Sequence, residues 1–511
     1  MKKKMDFFIA SLMIVILVFS VTGCGKENKV NKVNSKGDER DDDPIDPIVW
    51  LTTGDMAAKP ILPDDRIVEE INKRFSIDLQ VQMVPEGDVT KVNIAMASGD
   101  FPDIVTGTFG SSATNQWIND GLLVSLNDYF ESTPNLEKTL TEEFDWTTAD
   151  DGNFYGYPFI TQYKSTNTTL AFRQDWMDKL NLEVPKTLDD FYNVLKAFKE
   201  KDPDGNGEKD TYGITSIKPI GDFNFIFYAY GRKYADYQLD DNGDVIPHFE
   251  HFSFKPGMEY LRKLYVEGLI DPEFLLNDRN KMEERFYQSK VGYITAPLFR
   301  HVSRLEGNLQ KMNPEGKLGY SYPPEGPDGN KGFAPVGKSG MYTAITKKCE
   351  APKKAAQFID FMISDEGKNL VRLGIEGIHY TKDGKEIIYN EEERAKDNFA
   401  ENGWAHPLAW GSFSCPLESN YLPATEKSRE RALESVEIAS AVQVPNLITN
   451  IPMMEIEYGK IVEDLYNQYF IDMLQGKIEI DQGVAELSEK WRAQGGDKIL
   501  EEVQVIYNNN K

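Results

Sequence analysis

Apolar and polar positions change period several times between residues 48 and 108, and each change predicts a new element. Ile48 to Thr53 is a short apolar run with β-branched residues, the pattern of a buried strand. Asp64 and Asp65 then open a helix whose apolar positions, Val68, Ile71 and Phe75, follow helical spacing. Ile77, Leu79, Val81 and Met83 alternate with polar neighbours, which is the period of a strand. A short helix around Val92 to Ala97 leads to Asp103-Ile104-Val105-Thr106-Gly107, another buried strand. Strand, helix, strand, helix, strand predicts parallel pairing and an α/β lobe. Ligands of such sheets sit beyond the carboxyl ends of the strands. That places Thr53-Gly54 and Gly107-Thr108-Phe109-Gly110 at a candidate site, although plain loop glycine accounts for these residues equally well.

A second set of units begins near Thr168. Leu170 to Arg173 reads as a strand, followed by Trp176, Leu180 and Leu182 on a helix opened by Asp175. Periodic partners mark Trp176 as packing. Thr187 with Asp190 three residues later is a capping box, ahead of the stripe Leu188, Phe191, Leu195 and Phe198. Val291 to Thr295 and Met341 to Thr346 are later strands, and Ala355, Phe358, Ile359 and Met362 form another helical stripe. The chain ends in helices, with Ile461, Leu465, Tyr469 and Met473 before a stop at Gly476, then Val484, Leu487 and Trp491. Asp240 to Asp244 and Lys382 to Lys385 are predicted hairpin turns.

The amino-terminal residues follow different rules. Lys2, Lys3 and Lys4 precede an almost unbroken apolar run from Phe7 to Val21, too short to span a membrane comfortably and suited to a signal segment. It ends in Val21-Thr22-Gly23-Cys24, which resembles the lipobox of bacterial lipoproteins, with Val21 where Leu is commoner. That resemblance implies removal of residues 1–23, a lipidated Cys24 and anchorage on the outer face of the cell membrane; an ordinary signal peptide or an uncleaved anchor is the competing reading. Residues 24–47 are Lys, Asn, Asp and Glu with almost no apolar content, so they read as a flexible tether. With Lys plus Arg at 57 against Asp plus Glu at 83, the net charge of −26 argues against a nucleic-acid partner. Three Cys exclude a disulfide scaffold, and five His make a His-built zinc site a poor reading. Cys349 and Cys415 could pair outside the membrane, and free thiols in a core explain them equally well.

One local motif has metal-binding spacing. Asp202, Asp204, Asn206 and Asp210 stand at positions one, three, five and nine of an EF-hand-like loop. Gly207 is at six, and Glu208 offers its backbone carbonyl at seven. Closely spaced carboxylates repel one another unless a cation joins them, so a single structural Ca²⁺ is expected. Gly213 occupies position twelve, where an EF-hand carries its bidentate Glu, which leaves Thr211, a water or a distant residue to complete the shell. A solvated Asp/Gly turn is the alternative.

From Ser98 onward, an ordered set of segments resembles the lipoprotein-type extracellular solute-binding proteins, the ligand receptors of ABC importers for sugars. The set comprises Ser98-Gly99-Asp100-Phe101-Pro102-Asp103-Ile104-Val105, Gly121-Leu122-Leu123 with Leu126-Asn127-Asp128-Tyr129, and Asp151-Gly152-Asn153-Phe154-Tyr155-Gly156-Tyr157-Pro158. It continues through Phe172 to Leu180, the calcium loop, Gly268 to Phe274, Lys290-Val291-Gly292-Tyr293 and Gly374 to Tyr380. The subgroup it is most similar to includes alginate-oligosaccharide and pectin-fragment receptors. The resemblance implies a two-lobe periplasmic-binding-protein type II-like α/β fold, hinged, with a ligand cleft between the lobes. It implies crossings near residues 160–168 and 295–345, hence one lobe from 48–165 plus about 296–345 and another from 166–295 plus about 346–511. A monomer working with permease subunits is expected.

Sugar rings stack on aromatic side chains while their hydroxyls take fixed polar partners. Candidate contacts are therefore Trp50, Phe109, Tyr163, Phe299, Arg300, Trp404, His406 and Trp410, chosen from strand ends, the expected crossing and the Gly/Pro-rich loop from Asn402 to Gly411. Most aromatic residues must be core. Arg173 or Arg300 has the geometry to hold a uronate carboxylate, and a salt bridge explains either equally well. Two other functions fit an anchored protein, a surface carbohydrate-active enzyme and a non-transport adhesion or carbohydrate-binding lipoprotein. No nucleophile elbow, His-rich metal set or phosphate loop is present in the sequence.

Overall fold

A computed structural model describes residues 44–54, 60–85, 89–108, 112–149, 151–159, 168–217, 223–297, 305–334, 341–384, 386–399, 405–409, 426–448 and 452–509. Cys24 and nearly all of the tether lie outside these residues. In chain order the strands are β1 (Asp46–Gly54), β2 (Ile77–Pro85), β3 (Ile104–Thr108), β4 (Tyr157–Phe159), β5 (Thr168–Arg173), β6 (Tyr212–Thr215) and β7 (Gln238–Leu239). They continue with β8 (Val245–Ile246), β9 (Val291–Pro297), β10 (Leu318–Ser321), β11 (Met341–Ile345), β12 (Tyr380–Asp383) and β13 (Glu386–Tyr389).

Two main sheets organise them, in the orders β2-β1-β3-β11-β4 and β10-β5-β9-β6. In the first, β1 pairs parallel with both β2 and β3, as the alternating elements predict. β11 runs antiparallel between β3 and β4. In the second, β5 is antiparallel to both neighbours and β6 is parallel to β9. Helix α1 (Arg66–Phe75) begins where Asp65 Oδ1 accepts the amides of Ile67 and Val68, and it ends on Ser76 in the left-handed region at φ 50°. The capping box is present: Thr187 Oγ1 accepts from Asp190 N at 3.1 Å, and Asp190 Oδ2 accepts from Thr187 N at 3.0 Å. Both expected hairpins form, turning on Gly243 (φ 86°) between β7 and β8 and on Gly384 (φ 59°) between β12 and β13.

Cores divide the chain differently from the expected lobes. One hydrophobic cluster joins Ile48, Ile67, Ile71 and Ile104 to Phe358, Ile359, Met362, Phe399 and Leu408. The stretch 346–409 therefore covers the first sheet and does not belong with the second. Conversely β10, at 318–321, lies in the second sheet, and Leu318 shares a cluster with Ile438. Among the described residues the first lobe thus spans 44–159 plus 341–409, and the second 168–334 plus 426–509. A helical stripe such as Ala355, Phe358, Ile359 and Met362 fits either sheet, so periodicity alone does not assign it. In the helix Met453–Leu474 the expected Met473 is buried, together with Val462, Phe470 and Leu474, while Ile461 is 52% exposed.

Gly213 in β6 explains its own identity. A Cβ there would stand 2.5 Å from Leu195 Cβ and 2.9 Å from Leu195 Cα on the helix Leu188–Glu200. Gly213→Ala should therefore cost about 1–3 kcal/mol through overpacking, read as a lower urea midpoint with an unchanged slope; a midpoint equal to the native one would contradict this packing.

Candidate functional site

The carboxyl ends of β1, β3, β6 and β9 lead into segments outside the described residues. Phe109, Tyr163, Phe299, Arg300, Trp404 and Trp410 lie on such segments. Gly107, the described part of the β3 end, packs against a side chain: a Cβ there would meet Trp117 Cζ3 at 2.7 Å.

Two expected ligand contacts are core residues. Trp50 is fully buried in β1, where strands of a parallel sheet are covered on both faces. Its ring meets Phe358 edge-on at 5.9 Å, and its Nε1 donates to Thr106 Oγ1 at 3.0 Å. No face is left for a sugar. His406 is fully buried too, with Nε2 2.7 Å from Asp65 Oδ2 and Nδ1 accepting from Leu408 N at 3.2 Å. Trp176 is packing, as expected, at 1% exposure. Arg173 is spent on Asp175 and on Ser289 Oγ, and lies 4.6 Å over the Trp176 ring, so it is the salt-bridge alternative that holds there. Cys349 is a buried free thiol, and burial pushes its pKa up to about 12.

The His406–Asp65 pair has a counterpart that the sequence gave no periodic signal for. His379 Nε2 lies 2.6 Å from Asp397 Oδ2, while its Nδ1 accepts from Ile375 N at 2.8 Å. Asp397 also accepts Arg66 N at 3.1 Å and Arg66 Nε at 2.7 Å. Both carboxylates therefore meet at the amino terminus of α1, each backed by an imidazole, with Phe399 packed 5.1 Å from one ring and 5.2 Å from the other. The wiring resembles half of a catalytic triad, but it is structural: its members cap a helix and face no open space.

The calcium-type loop is described throughout. Asp202 Oδ1 accepts from Gly205 N and Asn206 N, and its Oδ2 accepts from Gly207 N. Gly205 and Gly207 have φ of 77° and 83°, which the tight turn requires. Asn206 Nδ2 reaches both Asp204 Oδ2 at 2.8 Å and Asp210 Oδ1 at 3.2 Å. The side chains at positions one, three, five and nine thus converge. Asp204 Oδ1 is buried with no hydrogen-bond partner, and burial together with Asp202 and Asp210 raises the Asp204 pKa. Lys290 bonds Asp210 and holds its carboxyl below the ordinary range, while Lys179 Nζ reaches the Pro203 carbonyl at 2.8 Å. Thr211 does not complete the set, because its hydroxyl is buried and donates to Phe198 O at 2.7 Å. Among the described residues no group of three or more His, Cys, Asp or Glu side chains is closed enough to hold a metal as it stands. An orphaned oxygen and convergent acceptors fit a cation all the same, once Lys290 and the backbone amides yield.

Two sheet-centred α/β lobes between which the chain passes three times are the architecture of a two-lobe binding protein. The chain belongs to the bacterial extracellular solute-binding protein family, whose pattern matches residues 62–369. It is similar to the polygalacturonan/rhamnogalacturonan-binding protein YtcQ of Bacillus subtilis, at 28% identity over 88% of this chain and 89% of that one. Lipoprotein LipO of the same organism is 28% identical over 88% of this chain and 91% of its own. Among solved structures, an EF-hand mutant of the Streptococcus pneumoniae substrate-binding protein FusA in complex with fructo-nystose shares the fold. Its TM-score is 0.68 at 21% identity, covering 91% of this chain and 99% of that one.

Burial makes the first lobe and its neighbour sensitive to acid. It holds His248, His251 and His379 below the ordinary histidine value of 6.5, His251 at about 4. Burial works against ionised Asp397, but hydrogen bonds from His379 and Arg66 outweigh it and keep its pKa below 3.8. The unfolded chain takes up protons that the native chain refuses. Stability is therefore complete above about pH 6.5 and falls as pH drops through the histidine range, then further below about pH 4. Urea midpoints at pH 7, 5.5 and 4 should descend in that order, and a midpoint constant from pH 7 to 5 would sink this account.

Proposed function

We propose that this protein is a lipid-anchored receptor that captures an oligosaccharide outside the cell and delivers it to the permease of an ABC importer. The observation that carries the reading is the match to a binding-protein family across both lobes, alongside a relative named for binding polygalacturonan and rhamnogalacturonan. Capture without turnover is the reading for the chemistry. The ligand contacts fall to Phe109, Tyr163, Phe299, Arg300, Trp404 and Trp410, with Arg300 the cation for a uronate carboxylate. Cys24 carries the lipid, in keeping with the lipoprotein relative.

Thermal unfolding of the full chain in mild detergent, across pectin, alginate and fructan oligosaccharides, tests this. A captured sugar at 100 times its Kd should add about 2.7 kcal/mol and raise the midpoint by roughly 1–3 °C or more for a chain of this size. Product release from a bound oligosaccharide, or no shift with any sugar, would turn the reading toward an enzyme or an adhesion lipoprotein.

The loop supports one structural Ca²⁺ through Asp202, Asp204, Asn206 and Asp210 with the Glu208 carbonyl, supplying the oxygen-rich shell this ion needs. That a relative's solved structure is an EF-hand mutant is consistent with this. Chelation should lower the midpoint of the native chain, and Asp204→Asn should remove most of that response; an equal response in both would speak against Asp204 as a ligand.

A further inference from the structure

A cavity of about 350 Å³ lies inside the second lobe. It sits between the segment after the β7–β8 hairpin and the helices Met453–Leu474 and Ile480–Trp491. None of its lining residues comes from the first lobe, so it is distinct from any site formed between the lobes. Ligand sites begin at about this size, roughly 300 Å³.

Its wall is aromatic. Phe249 stacks on Tyr466 with centroids 5.9 Å apart and meets Trp491 edge-on at 5.7 Å, and Tyr237 completes that side. Its polar groups are left open. The His248 ring nitrogens, the Tyr466 hydroxyl, the Asn467 amide and the Trp491 indole N–H all line the cavity without a hydrogen-bond partner among the described residues. Trp491 and Asn467 are only 5% and 8% exposed overall, so whatever meets these polar groups reaches them through the cavity. Glu455 Oε2 accepts the Tyr237 hydroxyl at 3.0 Å, and Oε1 is open.

Charge narrows the ligand. Arg232 spends its donors on Asn224 Oδ1 at 3.1 Å and on the Tyr234 carbonyl at 3.0 Å, among others. Asp236 is held by the amides of Leu447 and Ile448. Glu455 and Glu463 also line the cavity, which disfavours an anion there. The open groups mix donors with acceptors, and a hydroxyl is both at once. Flat apolar faces beside such groups suit a ring that carries several hydroxyls.

We infer that the second lobe holds its own site for a single uncharged polyhydroxylated ring of monosaccharide size, separate from the oligosaccharide capture proposed above. Water is the competing occupant, on the order of ten molecules by its share of liquid volume. Saturation-transfer NMR and calorimetry on the full chain in detergent, with D-glucose, D-galactose and D-galacturonate, decide between them. One of the two neutral sugars should bind at a single site, and galacturonate at the same concentration should not. Tyr466→Phe keeps the ring and removes only the hydroxyl; Asn467→Leu keeps the volume. Each should weaken the sugar about tenfold, with a native-like urea midpoint as the check on folding for Tyr466→Phe. No binding of either neutral sugar, equal binding of galacturonate, or affinities that both variants leave unchanged would overturn the inference and leave a water-filled cavity. The oligosaccharide thermal shifts are read separately and should be the same in Tyr466→Phe, so either proposal can fail without the other.

Discussion

Two carboxylates buried at one helix end hold the first lobe together. The first amides of α1 have no partner within the helix, and Asp65 and Asp397 supply one each. A buried carboxylate is costly unless it is paired and fully hydrogen-bonded. His406, His379 and Arg66 meet that demand, and two of the three come from a stretch more than three hundred residues further along the chain. The same contacts draw residues 375–409 over the first core, where Phe399 fills the gap between the two imidazoles. Removing any partner would leave a charge stranded in the core, which costs several kcal/mol.

Much of the fold was legible because local rules and tertiary packing agree. The βαβαβ opening, the Thr187–Asp190 capping box, both hairpins and the packing role of Trp176 follow from period, capping and turn chemistry alone. Lobe membership was not legible, since an amphipathic stripe states that one face is buried and not which sheet buries it. Trp50 failed as a ligand contact for a related reason: it alternates onto the covered face of a strand buried on both sides, a fact fixed by Phe358 three hundred residues away. His406 looked available because it sits in a Gly/Pro-rich loop, and its buried partner Asp65 left no trace in local sequence.

The calcium-type loop shows how one segment answers two demands. Its first nine residues keep the oxygen spacing that a cation requires. By position twelve the chain has become β6, pressed so closely on Leu195 that only Gly fits. An EF-hand continues into a second helix and can afford a glutamate there; this chain continues into a sheet. The loop is therefore fastened at both ends, by the helix Leu188–Glu200 on one side and by β6 beside β9 on the other. A cation held there would brace the second lobe's central layer and would have no helix pair to open.

The position of β11 has a consequence for the order in which the molecule is made. β4 joins the first sheet through β11, and β11 lies about 180 residues after it in sequence. A ribosome that has delivered the first 160 residues has delivered a sheet without its fourth member and with one edge strand unattached. The whole second sheet has to emerge before the first can close. Long sequence separation between paired strands slows closure, so the first sheet stays incomplete until β11 has emerged, after every strand of the second sheet.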